Sequence, residues 1–515
     1  MTATQTMTKE SHMRSPTRHR WTGLSAAAAA TVLVLSGCSG AAPSESKSEQ
    51  RVLSLSTRTA PASFAIGKYG GGEIMIQTSI FDTLLAFDQQ GAIVPSLAKK
   101  FAYNEDRTVL TLTIRDDAKF SNGEVVDAKA VVDNLMVTFK SGSSAGFAGV
   151  KTIKAQSGGR VVITLSKPNA SLVPSLAGVG GFVAAPSTLG TAAEATKPVG
   201  SGPYKLNLAK TQIGEKYVLD KVKGEWRADK YPFDRIEISV IPDLTAAANG
   251  LQSGQLDHAV GISQDQAKSL KGQFTTGVDK PTTWGNIWIA DREGDVVPAL
   301  GDKRVRQAIN MALDRSDVDK LTPGQTHGID QIFQAGGGAY QSDLKGRYPH
   351  DVKAARKLMA EAGYANGFSV TMPSTLASTD YEPFLTQSLA DIGIKVKWKN
   401  VSLQDIVPNL SSKKFAMFYF PSTYSGSDAL DVESALGPVF NPFKTSTPEL
   451  TKLLDKANAT GAGNAFADVN RYFVDEAWFA PVVANTFLWA HSKSVDYTPP
   501  KVWGYSVQPW TIAKN

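Results

Sequence analysis

The sequence predicts an α/β protein with more than one domain, and three observations lead to this interpretation. Segments with helical periodicity end at glycine and are followed by strand-like segments, a succession typical of α/β layers. The chain of 515 residues is too long for one hydrophobic core and indicates two or three domains. Hydrophobic residues make up 42% of the chain and charged residues 20%, as in ordinary globular proteins.

Residues 1–37 are predicted to be a secretory signal peptide. Arginines precede an alanine-rich apolar run over 24–34, and small residues follow it. As a helix this run would extend roughly 16 Å, well short of the ~30 Å hydrocarbon core of a bilayer. We therefore expect it to be removed on export and not retained as a membrane span.

Cys38 is the only cysteine of the chain, and it closes the string Leu35-Ser36-Gly37-Cys38. This string resembles the lipobox of bacterial lipoproteins, in which the cysteine receives a diacylglyceryl group and becomes the mature N-terminus. Two or more acyl chains hold a protein stably on a membrane. We expect a lipid anchor on Cys38 that keeps an exported protein on the outer face of the cell membrane, with 38–50 as a flexible tether. An ordinary buried cysteine is the alternative.

Charge and cysteine content argue against several classes of function. The formal net charge is +6, part of it carried by the signal peptide, and no basic run is interleaved with aromatic residues. A nucleic acid is therefore a poor partner. With its one cysteine assigned to lipid, the body of the protein has neither disulfides nor thiol chemistry.

Local patterns predict individual strands and helices in order. The segments 51–55, 109–114 and 161–165 are strand-like and bounded by turn residues. Asp243 is placed to cap a helix that ends near Ser253. The next helix has apolar residues at 305, 308, 309, 312 and 313, and its polar residues are predicted to face away from the core: Lys303, Arg304, Arg306 and Asn310.

Two more helices and a strand follow in the second half of the body. One helix opens at Asp351 and stops at Gly363, and another follows Tyr381 and stops at Gly393. Apolar residues then alternate with lysines over 394–399, which predicts a strand with one buried face. Repeated succession of helix, glycine and strand is what favours the α/β class.

Seven short strings are spread in order over nearly the whole body: IFDTLL at 80–85, GAIVPSLA at 91–98, LTIRDDAKFSNG at 112–123, PVGSGPY at 198–204, PD at 242–243 with LQSGQLD at 251–257, DKRVRQAI at 302–309 and EAGY at 361–364. Together they resemble the solute-binding proteins of peptide and nickel ABC importers, family 5, which includes dipeptide- and oligopeptide-binding proteins. Their glycines, prolines and capping residues build the scaffold and are not themselves ligand contacts.

The resemblance implies a bilobal periplasmic-binding-protein-like fold of class II, large, with an extra inserted subdomain and a deep cleft between the lobes. Lobe I would be discontinuous and consist of 51–72, 197–280 and 489–515. The inserted subdomain would cover 73–196, and lobe II would cover 281–488. Closure of the lobes around a solute requires that the closed form bind it more tightly.

The resemblance also implies a function, that of an extracytoplasmic receptor that captures oligopeptides in the cleft and delivers them to the membrane permease of an ABC importer. The expected partners are a small-molecule or peptide ligand and the permease subunits, with the protein itself a monomer and without a cofactor or metal. Two alternatives stay open: a non-peptide solute such as an oligosaccharide or a chelated metal, and a sensor lipoprotein that transports nothing.

Peptide-binding relatives use an aspartate of the second lobe to pair with the α-ammonium group of the peptide. In the corresponding stretch of this chain, Asp428 matches best and Asp431 second, and Tyr424 is the nearest aromatic residue. The tryptophan that often precedes this aspartate in the family is absent here. A solvated acidic loop is the structural alternative.

Two aromatic residues are further candidates for the cleft. Trp284 lies where relatives place an aromatic that lines the cleft, and its indole offers a flat face and one donor. Core packing is the alternative for Trp284. Tyr69 stands in a glycine-rich stretch that would allow close approach of a ligand, although a flexible loop has the same composition.

Catalytic interpretations find little support. No His-Glu-x-x-His motif occurs, and the four histidines of the body are far apart in sequence. No P-loop string is present. The Ser-x-x-Lys string at Ser411 echoes penicillin-recognising enzymes, but the following Lys444 comes too soon for the helical region of that fold. We therefore expect a protein that is not an enzyme.

Overall fold

The computed structural model describes residues 50–512, apart from 69–73, 143–145, 282, 403–404, 462 and 500–509. The predicted signal peptide, the lipidation site Cys38 and the ligand candidate Tyr69 lie outside the described residues. The 38–50 tether lies outside them too, except for its last residue.

Short strands are distributed along the whole described chain and occupy these positions: β1 Val52–Thr57, β2 Leu85–Phe87, β3 Ile93–Pro95, β4 Ala98–Tyr103, β5 Val109–Ile114, β6 Val150–Gln156, β7 Arg160–Leu165, β8 Tyr204–Leu206, β9 Lys216–Lys221, β10 Arg235–Val240, β11 His258–Val260, β12 Thr275–Val278, β13 Thr283–Ile289, β14 Thr326–Gly328, β15 Phe368–Ser374, β16 Ile394–Asn400, β17 Met417–Thr423, β18 Phe479–Asn485, β19 Leu488–His491, β20 Val495–Tyr497 and β21 Trp510–Ile512.

Helices alternate with these strands and occupy these positions: α1 Met75–Ile80, α2 Ala128–Ser141, α3 Leu172–Ala177, α4 Leu244–Gln252, α5 Gln264–Leu270, α6 Pro298–Gly301, α7 Lys303–Ala312, α8 Arg315–Leu321, α9 Val352–Glu361, α10 Glu382–Ala390, α11 Ile406–Ser411, α12 Asp428–Ala435, α13 Pro448–Thr460 and α14 Ala467–Asp475. This mixture confirms the predicted α/β class.

Two four-stranded sheets make up most of the N-terminal half. In one, the order is β1-β10-β9-β8, with β1 and β10 parallel and the other neighbours antiparallel. In the other, β4-β5-β7-β6 is antiparallel throughout. Each sheet has its own apolar core, one around Leu53, Ile236 and Ile238 and one around Leu110, Leu112 and Ile163. Alternating burial along β5 and β7 gives each strand one buried face, as the period of two requires.

The sheet β14-β18-β13-β17 organises the C-terminal half, and its central strand β13 is buried on both faces. Trp284 and Trp288 of β13 belong to one core, which also contains α12, α13 and α14. Ile287 and Ile289 belong to a second core, against α7, α9 and α10. Both sides of this sheet are therefore covered, which makes α12 and the loops near it part of a packed layer.

The chain passes twice between this sheet and the β11-β19-β12 sheet, from β12 to β13 and from β18 to β19, and the two connections lie side by side. β12 pairs with β19 up to Val278 and Leu488, and β13 pairs with β18 from Thr283 and Asn485. Between the two pairings, the backbone nitrogen of Asp279 donates to the oxygen of Phe487 at 3.0 Å. The chain thus passes between the two sheets as one two-stranded ribbon.

Most predicted elements are present. The strand at 109–114 has the predicted bounds, and Asp243 and Asp351 cap α4 and α9 through backbone nitrogens of the first turn. Gly363 follows α9 with a φ of +88°, a left-handed conformation suited to glycine.

The prediction that Arg306 and Asn310 face away from the core is wrong. Arg306 is 5% exposed and Asn310 is 2% exposed. Arg306 donates to the backbone oxygens of Leu300, Gly301 and Glu476, and Asn310 donates to that of Phe479. These two polar side chains of α7 are buried because they donate hydrogen bonds to carbonyl groups at the ends of α6 and α14 and at the start of β18, which would otherwise lack donors.

Candidate functional site

The predicted ligand aspartates lie in the first turn of α12. Ser427 is the N-cap of this helix, and its side chain accepts a hydrogen bond from the backbone nitrogen of Leu430. Asp428 and Asp431 follow within the first turn. The N-terminus of a helix favours negative charge, so this position suits carboxylates.

Asp428 is directed toward the loop at 337–339. Its Oδ2 accepts a hydrogen bond of 2.8 Å from the backbone nitrogen of Ala339. A Cβ atom on Gly338 would lie 3.1 Å from the same oxygen and 2.2 Å from the backbone oxygen of Gly463. Glycine at position 338 is therefore what allows the loop to approach the carboxylate. Burial raises the pKa of Asp428 despite the hydrogen bond from Ala339.

Asp431 is more deeply buried, with 8% of its surface exposed. The backbone nitrogen of Ser425 donates a hydrogen bond of 2.9 Å to its Oδ1. The pKa of Asp431 is raised to about 7, chiefly by burial and in part by the charge of Asp428, while hydrogen bonds from Ser425 act in the opposite direction. Among the described residues, no lysine, arginine or histidine lies close enough to either carboxylate to lower its pKa. The two acids, Asp431 buried and Asp428 partly buried, thus form a carboxylate pair without a cation partner among the described residues, which we call the uncompensated carboxylate pair.

Tyr424 and Trp284 lie next to this carboxylate pair. The rings of Tyr424 and Trp284 are stacked with centroids 6.1 Å apart, and Trp288 lies 5.3 Å from Trp284. Burial raises the pKa of the Tyr424 hydroxyl, and the charge of Asp431 raises it further, which shows that the two side chains are close. The structure therefore brings together four of the five ligand candidates, and the fifth, Tyr69, lies outside the described residues.

Trp284 is a core residue with one unusual feature. It is 1% exposed, and its Nε1 donor has no acceptor among the described residues. A buried indole N–H normally has a partner. Both interpretations of Trp284, core packing and contact with a ligand, thus have a structural basis.

Asn286 is a polar residue that the sequence interpretation missed. It lies two residues after Trp284 on the same face of β13 and is 0% exposed. Neither its Nδ2 donor nor its Oδ1 acceptor has a partner among the described residues. A single polar residue in a strand is common and carries no sequence signal, whereas a buried amide is costly unless a water or a ligand group completes its hydrogen bonds.

The arrangement offers a cation-binding pair beside polar groups that can both donate and accept. A positive group close to Asp428 and Asp431 would favour their charged forms. The described residues contain no group of three or more His, Cys, Asp or Glu side chains that could hold a metal ion. Within the same part of the chain, no helix combines the length and apolar character needed to cross a bilayer.

Comparisons with known proteins agree with the fold. The sequence profile of the bacterial extracellular solute-binding proteins, family 5 (middle region), matches residues 92–446. The glutathione-binding protein GsiB of Escherichia coli is 24% identical over 458 residues, which cover 82% of this chain and 86% of GsiB.

Two solved structures have the same fold. NikA from Brucella suis in complex with Fe(III)-EDTA superposes with a TM-score of 0.76 at 22% identity, covering 90% of this chain and 99% of NikA. The periplasmic binding protein DppA from Helicobacter pylori, in complex with a peptide, has a TM-score of 0.76 at 20% identity, covering 90% of this chain and 98% of DppA. The chain therefore belongs to the family 5 bacterial extracellular solute-binding proteins, the solute receptors of peptide- and nickel-type ABC importers.

Proposed function

We propose that the solute captured by this receptor is an oligopeptide, and that Asp428 and Asp431 bind its α-ammonium group. The uncompensated carboxylate pair is the observation that carries this proposal. A buried carboxylate without a cation is unfavourable, and an ammonium group in the site would remove this penalty. A charge-assisted hydrogen bond of this kind contributes about 1.5–3 kcal/mol.

Trp284, Tyr424 and Asn286 are proposed to bind the next part of the peptide. A peptide group has one donor and one acceptor, which matches the free acceptor and donor of the Asn286 amide. The free Nε1 donor of Trp284 is suited to a peptide carbonyl. Tyr69 stays a proposed contact on the opposite lobe.

Relatives support a ligand with a free amino group. One relative is named for glutathione, which is itself a peptide with an α-ammonium group, and the DppA structure contains a peptide. The carboxylate pair identified here provides such a group with a partner.

The proposal includes the arrangement of the whole protein. Lobe I (51–72, 197–280 and 489–515) with its inserted subdomain (73–196) closes on lobe II (281–488), and the closed monomer docks on the permease. Acyl chains on Cys38 keep the exported receptor at the outer face of the membrane. The receptor needs no cofactor and carries out no catalysis.

The direct test is Asp428→Asn, measured by titration calorimetry with trialanine and glutathione. Asparagine keeps the shape and one acceptor but removes the charge, so we expect binding at least about tenfold weaker, without loss of thermal stability. Asp106→Asn, at an exposed acid, is the matched control and should bind like the original protein. N-acetylated trialanine, which lacks the ammonium group, should bind weakly to all three proteins. Unchanged affinity of Asp428→Asn would refute the role of the carboxylate.

A chelated metal is the second candidate, because the NikA structure contains Fe(III)-EDTA. The described residues offer no ready set of metal ligands, so such a metal would have to arrive with its own chelator. Native mass spectrometry of the secreted protein separates the two candidates, since a peptide and a metal chelate differ in mass and isotope pattern.

A further inference from the structure

Three lysines form a row on the solvent face of strand β16. Lys395, Lys397 and Lys399 are exposed, and the apolar residues that alternate with them pack against a core of predicted lobe II. Because successive side chains of a strand point to opposite faces, the three lysines share one face. At ~3.3 Å per residue, neighbouring lysines are spaced roughly 6.6 Å apart, and the row is roughly 13 Å long. We call these three residues the lysine row.

The lysine row has no carboxylate partner in the part of the chain that the structure describes. None of its three ammonium groups lies within 4.0 Å of an aspartate or glutamate oxygen there. Other lysines of the surface do have such a partner: Lys129, Lys167 and Lys456 each pair with an aspartate at 2.6 or 2.7 Å. The lysine row therefore concentrates three unpaired positive charges on one strand.

The end of the row where β16 begins carries a further positive charge. Arg356 of α9 donates to the backbone oxygen of Asp391, three residues before the strand. The carboxylate of Asp391 accepts a hydrogen bond of 2.8 Å from Gln387. One acid and one additional cation thus lie at this end, and the positive excess of the row is retained.

Strand β15 continues the same face with small polar residues. It runs parallel to β16, and its exposed Ser369 and Thr371 are in register with the first two lysines of the row. The aromatic residue of β16, Trp398, is directed to the opposite face, where its Nε1 donates to Thr386 at 2.9 Å. The face formed by the two strands thus combines ammonium and hydroxyl groups and presents no aromatic ring from either strand.

This composition suits one kind of anionic partner. Single-stranded nucleic acids are bound by stacking of bases on aromatic side chains, which this face does not offer. A lysine ammonium is a compact point charge without the fixed fork with which arginine binds a single carboxylate or phosphate. A row of such point charges on an open face is instead complementary to a surface of distributed negative charge, as formed by anionic lipid headgroups.

We propose that the lysine row binds anionic phospholipid headgroups and so holds lobe II against the surface of the cell membrane. Each lysine near an anionic bilayer strengthens binding about fivefold. Acyl chains on Cys38 keep the receptor beside the bilayer, and such tethering makes a contact effective that is weak between free partners. This inference rests on the membrane-anchored location in the proposed function and not on the identity of the solute.

A second role of lysine on an edge strand has to be separated from this one. β16 is an edge strand of its two-stranded sheet, and charged residues there prevent edge-to-edge pairing between molecules. Protection of the edge needs charge of either sign, whereas membrane binding needs positive charge. Replacement of all three lysines by glutamate keeps the edge charged and reverses the sign, so it distinguishes the two roles.

The test measures sedimentation of residues 39–515 with vesicles of phosphatidylglycerol and phosphatidylcholine in equal parts, and with vesicles of phosphatidylcholine alone. This chain lacks the predicted signal peptide and Cys38, so that neither contributes to binding, and residues 50–515 form a compact unit of their own. We expect binding to the anionic vesicles to be at least about tenfold tighter than to the neutral ones. About 0.5 M NaCl should abolish the difference, because salt screens the charges.

Two triple variants locate the binding surface. One carries Lys395→Glu, Lys397→Glu and Lys399→Glu. The control carries Lys154→Glu, Lys223→Glu and Lys452→Glu, the same change in charge at exposed lysines of three separate segments. The first variant should lose at least about tenfold more affinity for the anionic vesicles than the control loses.

The outcomes that would overturn the inference are specific. They are equal binding of the original protein to both kinds of vesicle, equal losses in the two triple variants, and tighter binding of a single-stranded oligonucleotide than of the anionic vesicles at the same salt concentration. Circular dichroism during thermal unfolding verifies that each variant is folded. Titration of the same proteins with trialanine tests the peptide role separately, because the vesicle experiment contains no solute and either result can fail without the other.

Discussion

The backbone nitrogen of Ser425 donates a hydrogen bond of 2.9 Å to Asp431, across the turn that leads into α12. This contact fixes the position of a buried carboxyl group that has no cation partner among the described residues. The group is therefore expected to influence the stability of the unliganded protein as well as ligand binding.

The first prediction concerns pH. The pKa of Asp431 is raised from 3.8 to about 7 in the folded protein, so its proton is bound more tightly in the folded state than in the unfolded state. The free energy of unfolding therefore falls as the pH rises from about 4 to about 7. Asp431→Asn removes this loss and should raise the free energy of unfolding by about 1–4 kcal/mol at pH 8, with little effect at pH 4. Urea unfolding at both pH values measures this change in the free energy of unfolding, with Asp106→Asn as the control. An effect of equal size at both pH values would contradict the prediction.

The second prediction concerns the buried ion pair between Asp82 and Arg227. Asp82 is 3% exposed, accepts from the Trp226 indole at 3.1 Å and pairs with the Arg227 guanidinium, which also contacts Glu225 at 3.2 Å. Asp82→Ala leaves a buried cation with one partner fewer and should lower the free energy of unfolding by about 3 kcal/mol.

The exposed pair of Lys129 and Asp133 is the matched control for this second prediction. Asp133→Ala should leave the free energy of unfolding nearly unchanged, because solvent screens the exposed pair. Chemical unfolding of both variants under the same conditions provides the comparison. Similar effects in the two variants would show that the buried pair is not a major contribution to stability.

The third prediction compares two glycines near the same strand. Gly363 and Gly367 both have positive φ, +88° and +68°. A Cβ on Gly363 would meet no atom within 4 Å, whereas a Cβ on Gly367 would lie 1.8 Å from the backbone oxygen of Gly393. Gly363→Ala should cost about 1 kcal/mol through its backbone conformation alone. Gly367→Ala should lower the free energy of unfolding by at least about 2 kcal/mol more than Gly363→Ala does, because the added methyl group would push the starts of β15 and β16 apart. Equal melting temperatures for the two variants would contradict this.

The fourth prediction concerns the proposed lipid anchor. Cys38→Ala removes the thiol that would carry the diacylglyceryl group, and we expect the protein to move from the membrane fraction to the soluble exported fraction. Cell fractionation with immunoblotting measures the distribution. Ser44→Ala, in the proposed tether, should leave the protein with the membrane. Retention of the Cys38→Ala protein on the membrane would refute the anchor.

Local signals in the sequence were sufficient for much of the fold. Capping residues such as Asp243 and Asp351, and the glycine at 363, act within a few residues of the helix end that they define, so their effect is visible in a short window. The order of the seven family strings then predicts the α/β periplasmic-binding-protein fold. Domain boundaries stay predictions.

The features that the sequence patterns do not predict depend on contacts between residues that are far apart in sequence. The helical pattern predicts Arg306 at the surface because arginine on an amphipathic helix is normally exposed, but its hydrogen-bond partners include the backbone of Glu476. The polar contact between Glu433 and Gly146 joins segments nearly three hundred residues apart. Asn286 was missed for a similar reason, because the absence of a partner becomes visible only once its surroundings are known.

The site itself was predicted in part. Asp428, Asp431, Tyr424 and Trp284 come from two separate segments, and the structure gathers them around α12 and β13. Their roles toward a ligand stay proposals. The pairing of β13 with β17 is what brings the two segments together, and such a register is set by the tertiary structure.

The ribbon that carries the chain from β12 to β13 and back from β18 to β19 has a mechanical consequence. Two strands joined by hydrogen bonds resist stretching, but they can twist and bend as one unit. The sheets at its two ends are thus kept at a fixed separation, while their relative orientation is left adjustable. A change in this orientation would turn backbone torsions around Asp279 and Phe487 and leave the hydrogen bonds within both sheets in place, while contacts such as that between Gly146 and Glu433 would have to open.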